Sequence, residues 1–432
     1  MKKENYYKIL KSKIKKKKCL VGIIGIGFVG MKLMLQFNNK KIKTIGFDKD
    51  LKKINLLKRG ISPYSYIKNK DIKNVKKFSS FKSNFESIDK CDVIIICLPT
   101  PVKKNTKPDL SNISQAIAQI LNRIRPGQLL ILESTTYPGT TRDIIAKKIS
   151  LRFQIGNDYF VSFSPERENP GSNMKFENIT KVCTGFSNKC LDLSKNLYQK
   201  IVKKIVTASS LEEAEMSKLL ENIYRSVNIG LVNELKIISR AMKLNIHNII
   251  KLASTKPFGF QSFYPGPGIG GHCIPIDPYY LYWRAREFNE EARFVKLAGE
   301  INVRTTNWTI KNIIKIIKKE NKKNYRTKIL ILGLAYKKNI EDLRESAGIK
   351  IMTSLLKKKY FLEYSDPYVK SEVINRVRKK SIKINKKNIK KFDCVILVTD
   401  HDKYNYKLIT KYSKILIDTR GKIYRKNNFF RL

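Results

Sequence analysis

The sequence predicts an α/β protein in which two doubly wound domains are joined by a central domain built on a long helix. Short apolar strands alternate with helical segments through the first half of the chain, which is typical of a parallel sheet. Residues 211–251 contain no proline and only Gly230 as glycine, with apolar residues at helical spacing, which predicts one long helix or two joined helices. A second strand that runs into a glycine loop, KILILGLAYKKN, begins at residue 328. These three observations define the predicted architecture.

A chain of 432 residues is long enough for two or three domains with separate cores. We place a basic N-terminal arm at 1–19 and a first α/β domain at 20–207. The central helical domain, with a role in dimerisation and the active-site loop, is placed at 208–320. A second α/β domain is placed at 321–432.

The net charge of +52 raises the question of a nucleic-acid partner. Lysines are spread along the whole chain together with Ile and Asn, a pattern that suits a genome-wide drift toward A and T codons better than a binding stripe. The KKKK run at 15–18 is the sharp local cluster, and we interpret it as a solvated arm. We therefore expect no specific nucleic-acid binding, although the charge favours anionic ligands.

Cysteine usage and hydropathy indicate a cytoplasmic protein. The seven cysteines form an odd set without a CxxC pair, so we predict neither a zinc site nor a disulfide framework, and no metal. The first 18 residues lack the apolar core of a signal peptide. No apolar run approaches the length of a membrane span, so we expect no membrane insertion.

A dinucleotide site is predicted near the beginning of the chain. An apolar strand leads into Gly25-x-Gly27-x-x-Gly30, which includes Phe28 and Val29 and opens a helix. The next strand, KTIGFD, ends in Asp48, which lies 18 positions after Gly30 and suits a ribose-binding carboxylate. This pattern is typical of a Rossmann-like domain, and the free carboxylate favours NAD over NADP. Lys49 beside it weakens that preference slightly.

Polar residues follow the later strands, at the edge where ligands of a parallel sheet collect. Pro99 and Thr100 follow the strand at 93–97, and Thr135 follows the strand that begins at 128. Glu166 follows the strand at 158–163. From the sequence alone, Glu166 suits a general base and a helix cap equally well.

The long helix carries Lys218 and Asn222, which are four residues apart and share a face. An ammonium and an amide directed at one point would stabilise an alkoxide or oxyanion. The alternative, a solvated surface lysine, is far more common. The helix also has apolar residues beyond those needed for one core, which predicts a homodimer through 211–250 or a higher homo-oligomer.

The stretch GPGIGGHCIPIDP at 266–278 predicts a shaped loop, because alternating Gly and Pro fix backbone geometry rather than giving a flexible linker. The loop presents Cys273, and Asp277 lies four residues later. Such a thiol could hold a carbonyl carbon as a covalent intermediate. The alternative is a structured turn with a buried, inert cysteine.

These motifs, in this order along residues 20–420, resemble the nucleotide-sugar 6-dehydrogenases, the family of UDP-glucose and UDP-N-acetylhexosamine dehydrogenases. The resemblance rests on the glycine loop, LPTP at 98–101, ESTTYPGT at 133–140, SPE at 164–166, the Lys–Asn pair and GGHCIPIDP at 270–278. Within the family, TKPFGF at 255–260 and YPGPGIGGHCIPIDPYYL at 264–281 look most like UDP-N-acetylglucosamine 6-dehydrogenases. Two departures from the UDP-glucose branch, Pro170 and Ile276, agree with that choice.

The resemblance implies NAD-dependent four-electron oxidation of a UDP-sugar at its 6-hydroxymethyl group, for surface polysaccharide biosynthesis. Cys273 would trap the intermediate aldehyde as a thiohemiacetal and then carry a thioester. Asp277, Glu166 and Thr135 are the candidates for moving protons and placing the hydrolytic water. The C-terminal domain would bind UDP. The implied substrate-binding residues are Glu166, Arg167, Lys218, Asn222, Lys256, Tyr264, Gly270, His272, Lys337 and Arg344.

The gluco, manno or galacto configuration of the sugar stays open, and so do two other functions. The β-hydroxyacid dehydrogenases also join a Rossmann domain to a helix with Lys-x-x-x-Asn, but they remove one hydride and need no cysteine loop. A basic polyanion-binding protein on a Rossmann scaffold would instead bind DNA with a steep salt dependence.

Overall fold

The structure is a computed structural model that describes residues 5–64, 67–103, 107–168, 174–320, 326–423 and 429–432. The chain divides into two units. The first comprises Met1–Glu221 and Trp283–Asn289, and the second comprises Asn222–Tyr282 and Glu290–Leu432. The predicted domain boundaries follow a different division and stay predictions.

The first unit is organised around an eight-stranded sheet of described residues with the order β3-β2-β1-β4-β5-β6-β7-β8. The central strands are four residues long and entirely buried, as expected for a sheet that is covered on both faces. Its strands are β1 (Val21–Ile24), β2 (Thr44–Phe47), β3 (Ser79–Lys82), β4 (Val93–Ile96), β5 (Leu129–Leu132), β6 (Phe160–Phe163), β7 (Lys181–Gly185) and β8 (Ile205–Thr207).

Helices cover this sheet and supply much of its core. They are α1 (Tyr6–Lys15), α2 (Phe28–Asn39), α3 (Leu51–Lys58), α4 (Asn69–Val75), α5 (Ser111–Leu121), α6 (Lys147–Ile149) and α7 (Asn188–Tyr198). A π-helical segment at Thr141–Ala146 leads into α6, and a 3₁₀ turn spans Phe176–Asn178. The reversal of strand order between β1 and β4 creates the crevice in which such sheets bind nucleotides.

One strand pair departs from the parallel arrangement that the sequence predicts. Strands β1 to β6 pair in parallel, whereas β7 is antiparallel to β6, with Ser162 opposite Gly185. Strand β8 then pairs with β7 in parallel. The first residue of β7 consequently lies at the edge where β5 and β6 end.

The first 19 residues, treated above as a basic arm, contain helix α1. Its Leu10 and Ile14 are buried in the core of the first unit, and the side chain of Lys13 forms a 2.8 Å ion pair with Asp92. The four lysines at 15–18 are exposed.

Of the two predicted possibilities for 211–251, one long helix or two joined helices, the structure has the second, with α8 (Leu211–Ala241) and α9 (Ile246–Ala253). Lys243, with a positive φ of 58°, lies in the turn between them. Asn245 caps α9 by accepting a hydrogen bond from the His247 amide. The boundary between the two units falls within α8, after Glu221.

The second unit contains a five-stranded parallel sheet of described residues with the order β10-β9-β13-β14-β15. Its strands are β9 (Lys328–Leu332), β10 (Phe361–Ser365), β13 (Cys394–Leu397), β14 (Ile415–Asp418) and β15 (Phe429–Arg431), and β11 (Ser371–Ile374) and β12 (Val377–Lys380) form a separate hairpin. The remaining helices are α10 (Asp277–Arg286), α11 (Arg293–Glu320), α12 (Ala347–Lys357), α13 (Lys386–Ile389) and α14 (Tyr406–Tyr412).

The prediction of two Rossmann-like α/β domains with a long central helix is confirmed. Among the described residues, no helix combines the length and the apolar character that crossing a membrane requires. The same residues contain no cluster of His, Cys, Asp and Glu side chains that could hold a metal ion.

Candidate active site

The glycine loop of the first unit has the geometry of a pyrophosphate cradle. Gly25 has a φ of 88°, and a Cβ there would lie 2.7 Å from the Cys97 carbonyl oxygen. A Cβ on Gly30 would collide with the Gly25 carbonyl, whereas Gly27, the N-cap of α2, faces open space. The amide groups at the start of α2 are therefore approachable by an anion, so these residues fit NAD.

Asp48 lies at the end of β2, level with the end of β1 in the sheet. Its Oδ2 atom is 2.6 Å from the Lys53 Nζ atom, and its Oδ1 atom accepts a hydrogen bond from the Asp50 amide. The carboxylate is held in place and still has acceptor capacity for a ribose hydroxyl.

The other predicted cofactor residues lie around the same loop and the neighbouring strand ends. The Phe28 ring lies 4.4 Å from the Lys32 Nζ atom, and Val29 packs against the core. The Pro99 carbonyl accepts a hydrogen bond from Asn112, and the Thr100 hydroxyl donates one to the Thr135 carbonyl at 2.8 Å. The ends of β4 and β5 are thereby joined.

Two residues at this edge were missed by sequence reasoning. Lys181 is almost fully buried, and its Nζ atom lies 2.9 Å from Glu133 and 3.8 Å from Glu166. Thr136 is buried, and its hydroxyl has no hydrogen-bond partner among the described residues, unlike the half-buried Thr135 chosen from the sequence. Burial of an unsatisfied hydroxyl is visible only in three dimensions.

Lys218 and Asn222 lie one turn apart on α8, and both are buried, with 9% and 5% of their surfaces exposed. The alternative of a solvated surface lysine is therefore wrong. The Asn222 amide donates a hydrogen bond of 2.5 Å to Asp277, which is 2% exposed. Nearby on the same helix, Glu221 forms a 2.6 Å ion pair with Arg167, which also donates to the Thr180 carbonyl.

In the second unit, helix α8 holds the beginning of the loop at 266–278, called the Gly–Pro loop below. The Gly266 amide donates a hydrogen bond to the Asn233 side chain at 3.0 Å, and its carbonyl accepts one from Lys236 at 2.7 Å. Arg420, which sequence reasoning did not select, also packs there, because a Cβ on Gly266 would lie 2.7 Å from its guanidinium. Asn222 holds the end of the loop at Asp277.

Backbone contacts also fix the middle of the loop. The Gly271 amide donates a hydrogen bond to the Arg344 carbonyl at 2.9 Å. A Cβ on Gly270 or Gly271 would meet the Tyr336 side chain at 2.6 or 2.8 Å, and Gly271 has a φ of 93°. Glycine is therefore required at these positions.

Cys273 is exposed, and its carbonyl accepts hydrogen bonds from the amides of Ile276 and Asp277 at the start of α10. The other six cysteines, all in described segments, are buried or half-buried. Burial raises the pKa of the Cys19, Cys91 and Cys183 thiols to about 12, so these groups stay protonated. Exposure thus distinguishes Cys273 as the candidate nucleophile. The alternative of a buried, inert cysteine does not fit, because Cys273 is not buried.

The loop after β9 carries the predicted nucleotide contacts. Burial, together with Arg225 and Lys338, lowers the pKa of Lys337. Arg344 forms a bidentate pair with Asp342, and this hydrogen bonding raises the Arg344 pKa. Lys337 therefore lies in an electropositive environment that suits a phosphate.

A buried histidine supports that loop. His401 is fully buried, and its Nδ1 atom accepts a hydrogen bond from the Asn339 amide at 2.9 Å. Its Nε2 atom lies 3.1 Å from Asp366, which also accepts hydrogen bonds from the amides of Leu334 and Ala335. These bonds connect two strand ends to the loop that carries Lys337.

The remaining predicted substrate residues have separate surroundings. Burial, followed by the charge of Arg344, lowers the pKa of His272. The exposed Tyr264 stacks on His247 with a centroid separation of 6.2 Å. Lys256 lies over the Phe258 ring. The substrate roles of these residues stay predictions, and Pro170 lies outside the described residues.

Comparison with known proteins now defines the family. Models of the UDP-glucose/GDP-mannose dehydrogenase family match the NAD binding domain at 19–202, the central domain at 212–304 and the UDP binding domain at 330–425. The chain belongs to the UDP-glucose/GDP-mannose dehydrogenase family. The prediction of an NAD-dependent UDP-sugar dehydrogenase is therefore confirmed.

The relatives of this dehydrogenase include proteins with different substrates in their names. It is 33% identical over 413 residues to the protein CapL of Staphylococcus aureus, covering 93% of this chain and 95% of CapL. It is 32% identical over 358 residues to a UDP-N-acetyl-D-glucosamine 6-dehydrogenase of Pseudomonas aeruginosa, covering 82% and 83%. The solved UDP-D-ManNAc dehydrogenase of Pyrococcus horikoshii matches with a TM-score of 0.85 and 29% identity, covering 95% and 98%.

The buried Lys236 predicts a pH dependence of stability. Burial, followed by Arg420 and Arg240, lowers its pKa from 10.5 to about 7, so the unfolded chain binds more protons between these pH values. This group therefore makes the folded state more stable as pH rises from 7 to 10.5, by about 4 kcal/mol. In urea titrations, the free energy of unfolding of wild type should rise with pH by this amount relative to that of Lys236→Met, which lacks the titrating group.

The exposed Lys251→Met is the matched control and should reproduce the wild-type dependence on pH. Parallel curves for wild type and Lys236→Met would contradict the lowered pKa of the buried Lys236 ammonium.

Proposed function

We propose that this enzyme oxidises the 6-hydroxymethyl group of a UDP-N-acetylhexosamine, UDP-N-acetylglucosamine in the first place, to the carboxylate. The product would serve surface polysaccharide biosynthesis in the cytoplasm. The observation that carries the proposal is the exposed Cys273 on a loop fixed by α8 at both of its ends. A single-hydride dehydrogenase would have no use for such a thiol.

The chemistry assigned to Cys273 follows from the difficulty of keeping a free aldehyde. NAD, when bound, accepts one hydride in each of the two oxidations. The Cys273 sulfur adds to the aldehyde carbon and the former carbonyl oxygen takes up a proton, which gives a thiohemiacetal. Loss of the second hydride, together with the hydroxyl proton, leaves a thioester, and water then displaces the thiol and releases the carboxylate.

The buried pair on α8 suits stabilisation of the oxygen that carries negative charge in these steps. Lys218 offers an ammonium and Asn222 an amide, and burial strengthens both interactions relative to water. Asn222 also donates to Asp277, which orients the amide. We assign Asp277, Glu166 and Thr135 to proton movement and to placing the water.

The N-acetylhexosamine assignment draws on the relatives. UDP-N-acetyl-D-glucosamine 6-dehydrogenases of P. aeruginosa and Salmonella typhi are 32% and 30% identical to this chain. A UDP-N-acetyl-D-mannosamine dehydrogenase of Methanococcus vannielii is 31% identical over 431 residues. UDP-N-acetylmannosamine is therefore the second candidate, and UDP-glucose is a third.

A substrate panel tests this proposal. Purified enzyme with excess NAD should form two NADH per UDP-N-acetylglucosamine consumed, with UDP-N-acetylmannosamine and UDP-glucose as comparison substrates. Two NADH from the manno epimer alone would replace the substrate assignment. One NADH per sugar would indicate a single-hydride dehydrogenase, and no NADH combined with salt-sensitive DNA binding would favour a polyanion-binding protein.

Substitutions at Cys273 and Lys218 should have different consequences. Cys273→Ala removes the nucleophile, so acid formation should stop. Lys218→Ala should lower kcat for the first oxidation as well, by about 10²-fold, since it removes a donor to the developing oxyanion. NADH and uronate are measured separately. The buried Cys190→Ala is the matched control, and two NADH per sugar from Cys273→Ala would exclude the covalent route.

We also propose a homodimer through α8. Leu231, Leu235, Ile238 and Met242 form an exposed apolar stripe at helical spacing, with 51%, 39%, 47% and 63% of their surfaces exposed. Such a stripe is typical of a protein–protein interface. Leu235→Glu should convert a dimer into a monomer in light-scattering chromatography. Leu151→Glu, which is 78% exposed in the first unit, should not. A wild-type monomer would contradict the proposal.

A further inference from the structure

Lys181 occupies an unusual position for a lysine of a highly basic protein. It is 3% exposed at the start of β7, and its ammonium lies 2.9 Å from Glu133 Oε2 and 3.8 Å from Glu166 Oε2. Most lysines keep their ammonium in water. The Lys181 ammonium is instead buried between two carboxylates, which is a specific electrostatic environment.

The antiparallel direction of β7 explains this position. Glu133 follows β5 and Glu166 follows β6, so both carboxylates lie at the carboxyl edge of the parallel strands. Because β7 runs the opposite way beside β6, its first residue lies at that same edge. In an entirely parallel sheet, Lys181 would lie at the opposite edge, away from the ligand side.

The charges of this cluster depend on one another. Glu133 is 1% exposed, and the Tyr198 hydroxyl donates a hydrogen bond to its Oε1 atom. Burial raises the pKa of Glu133, and Lys181 opposes that effect. Burial alone would lower the pKa of Lys181, but the attraction of Glu133 and Glu166 raises it. The ammonium and the Glu133 carboxylate therefore stabilise each other's charged form.

Other titratable groups also face this cluster from the surrounding elements. The Tyr198 ring of α7 lies 4.9 Å from the Lys181 Nζ atom, and Cys97 and Cys183 flank the carboxylates from β4 and β7. Burial raises the pKa of both thiols, so both stay neutral. Glu168 forms a 2.5 Å ion pair with Lys32 and its amide donates to Glu166. Lys181 is thus the cation that Glu133 and Glu166 share.

We propose that Lys181 is a positioning residue that keeps Glu133 ionised and holds Glu166 ready to accept a proton during UDP-sugar oxidation. This inference rests on the proposed function for the role of Glu166. The link between Lys181 and Glu133 does not depend on it. Lys181 itself need not contact the substrate, because its effect is transmitted through the carboxylates on either side.

Four variants test the proposal, and one of them is Glu133→Gln. Lys181→Met keeps the length of the side chain and removes the charge, and Glu133→Gln/Lys181→Met removes both buried charges, so that folding is preserved. Lys203→Met is the matched control, because Lys203 pairs with Glu177 at the surface with 66% of its side chain exposed. The measurements are kcat/KM for NADH formation across pH, and the ¹³Cδ signal of Glu133 in glutamate-labelled protein, assigned from its absence in Glu133→Gln.

The double variant should melt close to the wild-type temperature, yet the acid limb of its kcat/KM profile should lie about 1 pH unit above that of Glu133→Gln, which differs from it only in the Lys181 ammonium. A carboxylate that has lost a neighbouring cation holds its proton to higher pH. In Lys181→Met, the Glu133 signal should report a protonated carboxyl at pH 7. A double-variant profile that overlays that of Glu133→Gln would overturn the role toward Glu166, and Lys203→Met should keep the wild-type profile.

The two readouts separate this inference from the proposed function. If wild type forms no NADH with any UDP-sugar, the function fails, and the Glu133 signal still tests Lys181. An unchanged Glu133 signal in Lys181→Met would overturn the positioning role whatever the activity. If Lys181→Met does not fold while the double variant does, the buried carboxylate depends on this ammonium, as the proposal requires.

Discussion

Helix α8 fixes the Gly–Pro loop at both ends, and the account of this enzyme depends on that interaction. Asn233 and Lys236 bind the two backbone polar groups of Gly266, and Asn222 binds Asp277 eleven residues later. Tyr336 and the Arg344 carbonyl hold the glycines between them. A loop fixed in this way loses little entropy when a ligand binds, so Cys273 is presented in a defined position.

The arrangement requires polar and charged side chains to be buried, and each has a neighbour that makes burial tolerable. The Lys236 ammonium donates to the Gly266 carbonyl, and burial lowers its pKa. His401 contacts the Asn339 amide and the Asp366 carboxylate, and Lys181 lies between two glutamates. Most lysines and arginines of the described residues are exposed, whereas these three groups are buried beside specific partners. Composition alone therefore says little about which lysines act.

The sequence was sufficient for the parts of the fold that depend on local pattern. Residue spacing and turn chemistry predict the glycine loop, the position of Asp48 after β2 and the uninterrupted helix α8. It was insufficient where strand direction decides the outcome. Lys181 lies beside Glu133 only because β7 is antiparallel to β6, and nothing in KVCTGF distinguishes the two directions. Arg420 and Thr136 were missed for a related reason, since their importance lies in contacts or burial created by distant segments.

The central claim is that the Cys273 sulfur carries the half-oxidised and then fully oxidised sugar carbon. Mass spectrometry of the Cys273 peptide, after acid quench of a single turnover with UDP-N-acetylglucosamine and NAD, tests it most directly. The account predicts a transient uronyl thioester on Cys273 that appears with the second NADH and disappears as uronate forms. Complete formation of both NADH and uronate with Cys273 unmodified at every time point would contradict it.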